Sequence, residues 1–117
     1  MDVKTIQVHL LHPKNRRSDW GLKEMAMEAR RDGGFCLDPA VTPCGFHWVV
    51  RRDGMVEQGR PETMPGNHTP GHNQAAIGVA VINRHGTRLT GKPQREAFKN
   101  LMVGILLRYP DAEVKYP

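Results

Sequence analysis

The sequence predicts an α/β domain: a central mixed β-sheet flanked by helices. Three observations carry this reading. Residues 3–10 alternate with a period of two, placing Ile6, Val8 and Leu10 on one face and Thr5, Gln7 and His9 on the other. The run from Ile77 to Ile82 is apolar throughout, as a central strand covered on both faces must be. Two other stretches repeat at helical spacing: Leu22, Met25, Ala26 and Ala29, then Phe98, Leu101, Met102, Ile105 and Leu106. Strands that alternate with amphipathic helices bury their apolar faces by layering helices on a sheet.

Each element follows from local chemistry. Pro13 ends the first strand. The spacing then predicts a helix over 22–32, with Ser18 or Asp19 as its cap and Gly33-Gly34 as its stop. Residues 35–44, with two prolines and two cysteines, read as a loop. Phe46 to Arg52 reads as a strand, Asp53-Gly54 as a tight hairpin turn, and Met55 to Gln58 as the return strand. A long polar segment from Gly59 to Gln74 follows, and loops of that length in compact domains tend to carry function. Pro93 suits the first turn of a helix over 93–108, which Tyr109-Pro110 ends. Residues 112–115 fit a short edge strand.

The chain has 117 residues, enough for one domain, 1–117, with a core of its own. Hydrophobic residues make up 38% and charged residues 25%, which argues against a disordered or coiled-coil chain. No apolar run reaches the ~20 residues of a membrane span, and the amino terminus carries no signal-peptide pattern. The expectation is a cytoplasmic protein with no membrane partner. Its net charge is +5, with 10 basic and 8 acidic residues in 1–60 and 7 and 4 in 61–117. The excess is spread rather than gathered in a tail. It favours anionic partners in general, but no aromatic ladder accompanies the arginines, so nucleic acid is not the expected partner. Cys36 and Cys44, without a secretory leader, read as free thiols rather than a bridge.

The polar residues able to do chemistry are mainly histidines: His9, His12, His47, His68, His72 and His85. A hydrolytic zinc site needs about three protein ligands and an open position. Spacing alone does not assemble such a site here, and a lone histidine on a strand is more often a satisfied, half-buried side chain.

Gly45 to Arg60 carries the pattern G-F-H-W-V-V-R-R-D-G-M-V-E-Q-G-R. It resembles the hairpin of the zinc-dependent N-acetylmuramoyl-L-alanine amidases, a family that includes small phage amidases and animal peptidoglycan recognition proteins. His68, Gly71 and Asn73 resemble that family's H-x-x-G-x-N stretch, which leads into an I-G-V strand as at Ile77-Gly78-Val79. Thr90 and Gln94 resemble the pair that opens its C-terminal helix, with one extra residue between them. The resemblance covers about residues 5–115 and implies an amidase-like and peptidoglycan-recognition-like fold. It also implies that His9 occupies the first zinc-ligand position. Phe46 stands where catalytic members have a tyrosine, so that hydroxyl is missing. The family's remaining ligands and its catalytic lysine follow the C-terminal helix and strand; here Lys115-Tyr116-Pro117 stand at that point.

The resemblance implies metal-assisted amide hydrolysis in a complete member, with zinc polarising the carbonyl and activating water. With His9 alone among the ligands, the expectation is a degenerate amidase-like domain, of phage or prophage origin, that binds peptidoglycan fragments through His68, His72 and Asn73. No cofactor is expected in that case, and zinc only if the domain is active. Two alternatives remain at this level. One is an active zinc amidase completed by ligands from outside these residues. The other is a phage protein that uses the same fold to bind and inhibit a host protein. The His47 ring, beside Trp48, reads as structural.

Overall fold

A computed structural model describes residues 3–11, 19–31, 45–66, 74–83 and 91–117. Among the described residues, five strands and two helices run in the order β1 (Thr5–Leu11), α1 (Leu22–Arg31), β2 (Trp48–Val50), β3 (Val56–Gln58), β4 (Ala76–Ile82), α2 (Lys92–Arg108) and β5 (Glu113–Lys115). They form one sheet in the order β3-β2-β4-β1-β5. Among these strands the β2–β3 pairing is antiparallel, whereas β4 pairs in parallel with β2 and β1, and β1 with β5. The mixed α/β architecture expected from the sequence is the one observed.

The connection from β1 through α1 to β2 runs one way along the sheet, and that from β4 through α2 to β5 runs the other. Crossovers of one hand then place the two helices on opposite faces. Side-chain alternation sorts the core accordingly. Ile6, Val8, Val50, Ile77, Val79 and Val81 pack with Met102 and Ile105 of α2. Val49, Ala80 and Ile82 pack with Trp20 and Met25 on the α1 side. All seven residues of β4 are buried, so its unbroken apolar run reflects cover on both faces. On α2, Met102 and Ile105 are buried, whereas Phe98, Leu101 and Leu106 are only partly so. A fully buried Leu101 does not occur, because it lies at the margin of the stripe.

Two local expectations concern the hairpin and the helix start beside it. The first is the cap of α1, expected from Ser18 or Asp19, of which Ser18 lies outside the described residues. The N–H of Leu22 donates to Glu57 Oε1 of β3 at 3.0 Å, and that of Gly21 to Glu24 Oε1 at 2.8 Å. A carboxylate from a distant strand thus takes one of the N–H groups at the helix start and meets the positive end of the helix dipole. Gly21 makes this approach possible, since a Cβ there would run into Glu57 Oε1 and lie 2.8 Å from Arg51 Cγ. The Gly33-Gly34 stop lies outside the described residues.

The second, the hairpin, is corrected. Its strands are shorter than expected: Arg51 flanks the turn and Arg52 lies within it. The Gly54 N–H donates to Arg51 O at 3.1 Å and the Arg51 N–H to Met55 O at 2.9 Å, a three-residue connection. Gly54 takes a φ of 92°, the left-handed residue that such a turn requires. A side chain there would also meet Pro93, 3.0 Å away at the start of α2.

Candidate functional site

The face of β1 that carries polar groups follows from its alternation. Ile6 and Val8 face α2, so Gln7, His9 and Leu11 stand on the α1 side. In register across the sheet, His9 lies beside Ala80, which lies beside Val49. Small and apolar neighbours leave the imidazole half-buried on a smooth floor. Phe46 packs into the α1-side cluster, and its ring meets that of His9 in a T-shaped contact, centroids 5.4 Å apart and planes at 73°. Burial pushes the His9 imidazole below its usual value. Burial thus favours the neutral ring, the form needed to ligate a metal or accept a hydrogen bond.

One register position away, Gly78 lies between Gln7 of β1 and His47. His47 is fully buried. Its Nδ1 accepts the Gly78 N–H at 3.0 Å, and its Nε2 lies 2.6 Å from Met64 O. With both ring nitrogens bonded inside the protein, His47 organises the site rather than reacting in it.

The segment after β3 is held from several sides. The Arg60 N–H donates to Phe46 O at 2.9 Å, and its buried guanidinium donates to Pro65 O at 3.0 Å. Glu62 accepts the Trp48 indole N–H at 2.7 Å and two hydrogen bonds from Arg108, at 3.0 and 2.7 Å. Burial by itself would raise the Glu62 carboxyl. Hydrogen bonds from Arg108, Trp48 and Tyr109, with the Arg108 charge, outweigh it and hold the group below the usual carboxylate range. Gln94, fully buried, donates from Nε2 to Ile82 O at 2.5 Å and fixes the first turn of α2 to the end of β4. No motif or spacing in the chain singles out Glu62. Arg60 and Gln94 were visible only as parts of a pattern.

His68, His72 and Asn73 lie outside the described residues, as do Thr90, Cys36 and Cys44. The structure therefore brings His9 and Phe46 together and leaves their relation to that loop undescribed. No three His, Cys, Asp or Glu side chains among the described residues are grouped so that they could hold a metal ion. A zinc site needs about three such ligands, and the described residues do not make one up.

A family model described as N-acetylmuramoyl-L-alanine amidase matches residues 1–115. The chain belongs to this amidase family. Family members are typically zinc-dependent. Among curated relatives, the endolysin of Klebsiella phage KP32 is 33% identical over 75 residues, which is 58% of this chain and 48% of that protein. The chain thus spans about half the length of the curated relatives it matches. The N-acetylmuramoyl-L-alanine amidase LysC from Clostridium intestinale superposes with a TM-score of 0.76 at 22% identity, covering 98% of this chain and 70% of that one. A tyrosine-to-phenylalanine mutant of Drosophila PGRP-LB, in complex with tracheal cytotoxin, superposes with a TM-score of 0.74 at 19% identity, covering 98% and 69%. At these identities both structures bear on the fold. The amidase and peptidoglycan-recognition-like fold expected from the hairpin motif is the fold observed.

Proposed function

We propose that this amidase-family domain binds peptidoglycan fragments on the α1 side of its sheet and does not by itself hydrolyse them. The observation that carries the reading is the His9–Phe46 pair. A half-buried imidazole, whose burial favours the neutral form, stands on the sheet, and its neighbour is an apolar ring with no hydroxyl to assist a reaction. Such a surface offers ring faces for stacking, which suits a sugar-and-peptide ligand. The net charge of +5 favours the carboxylates of such a ligand. That a phenylalanine mutant of PGRP-LB forms a complex with tracheal cytotoxin supports binding without a tyrosine hydroxyl in this fold.

Sedimentation with purified cell walls, followed by turbidity of the same suspension with added zinc, tests both halves. The expected result is co-sedimentation with no clearing. Protein left in the supernatant would overturn the binding half, and clearing would overturn the non-hydrolytic half.

A further inference from the structure

The Gly78 N–H would, in a regular parallel ladder, find a carbonyl of the neighbouring strand. Here a ring nitrogen takes its place. His47 meets Gly78 twice: its own N–H donates to Gly78 O at 3.0 Å, and its Nδ1 accepts the Gly78 N–H at 3.0 Å. On its other side, His47 O accepts the Gly59 N–H at 2.8 Å, and Nε2 lies 2.6 Å from Met64 O. An amide N–H can only donate, so Nδ1 is bare. The proton sits on Nε2 and is donated to the Met64 carbonyl. One residue thus joins β4 to both ends of the stretch from Gly59 to Met64.

We propose that His47 is a proton-operated pin, a positioning residue that in its neutral Nε2–H form holds the 59–66 segment against β4 and releases Gly78 when Nδ1 takes up a proton. With both nitrogens protonated, the ring has two donors and no acceptor, so the Gly78 N–H loses its partner in a fully buried place. Among the described residues, the charged groups that bear on the ring come from the pinned segment itself. Glu62 and Arg60, on the pinned segment, bear on it with opposite charge, and the register positions across β4 and β1 are Gly78 and Gln7, which do not titrate. Burial, the largest influence, lowers the His47 value; the Met64 hydrogen bond and Glu62 raise it, Arg60 lowers it, and the balance is downward. A histidine with a depressed folded value contributes its stabilisation above the ordinary 6.5 and loses it as pH falls through the folded value.

Two measurements test the pin without any ligand. Nitrogen-15 spectra of the wild-type ring at neutral pH should show a protonated Nε2 and a bare Nδ1. Amide exchange at Gly78, corrected for intrinsic rates, should lose protection by up to about tenfold per pH unit as pH falls from the ordinary 6.5 towards the folded value of His47, because one proton is taken up on opening, and should level off below it. In His47→Gln, whose amide does not titrate, that slope should vanish. A proton on Nδ1 at neutral pH would overturn the proposal even if the variant failed to fold. So would Gly78 protection independent of pH, or a folded His47→Gln that kept the wild-type slope.

Discussion

The two faces of this sheet are built from the same strands and differ in what they can do. On the α2 side, β1, β2 and β4 present Ile6, Val8, Val50, Ile77, Val79 and Val81 to Met102 and Ile105. On the α1 side the alternate residues are Gln7, His9, Gly78 and Ala80, with a smaller apolar cluster around Trp20 and Met25. A strand period of two lets a single sequence give one set of positions to the larger core and the other to the face that carries His9. Changes on the α2 face should therefore alter stability and spare ligand contacts. Changes near His9 should do the reverse.

The largest effect is expected at Ile105→Ala. Ile105 is fully buried in the α2-side core, so truncation should cost about 2–5 kcal/mol, read as a lower denaturant midpoint. Leu101→Ala, at the half-buried margin, should cost less than that. Equal losses would mean that α2 packs by a different stripe.

Gly21→Ala comes next. The new methyl would displace Glu57 from the N-terminus of α1 and press on Arg51, at about 1–3 kcal/mol by thermal unfolding. A neutral outcome would show that the hairpin does not cap the helix.

The Glu62 cluster should give a smaller, pH-dependent effect. Arg108 is substantially exposed, so solvent screening limits the pair, and Glu62→Gln should cost about 1 kcal/mol at pH 7. The folded carboxyl lies below its ordinary 4.5, so this stabilisation is present above that value and is lost as pH falls through the folded one. A variant difference that persisted well below that window would contradict the assignment.

The smallest stability effect is expected from His9→Ala, under about 0.5 kcal/mol, since the ring is half-buried and its removal leaves the α2-side core intact. Purified wild-type protein should also carry well under one zinc per chain by elemental analysis. About one zinc per chain, lost on His9→Ala, would contradict the non-hydrolytic reading.

Much of the fold was legible because apolar spacing reports cover directly. Ile77 to Ile82 announced a two-sided central strand, and Phe98 to Leu106 announced the helix that packs on it. Long-range polar contacts were not legible. Glu57 caps α1 from 35 residues away, and Glu62 meets Arg108 across 46, separations that leave no local pattern in the chain. The candidate site shows the same division. Alternation placed His9 on the face opposite Ile6 and Val8, and the hairpin motif singled out Phe46. That the two rings touch depended on the register between β1, β4 and β2, which only the three-dimensional structure supplies.

Calorimetric titration of soluble muropeptide fragments into wild-type protein and His9→Ala, at matched thermal stability, tests the central claim most directly. Saturable heat in the wild type that falls at least tenfold in affinity in the variant is the predicted result. No heat at millimolar ligand, or equal affinity in the two proteins, would contradict the assignment of the His9 face as the binding surface.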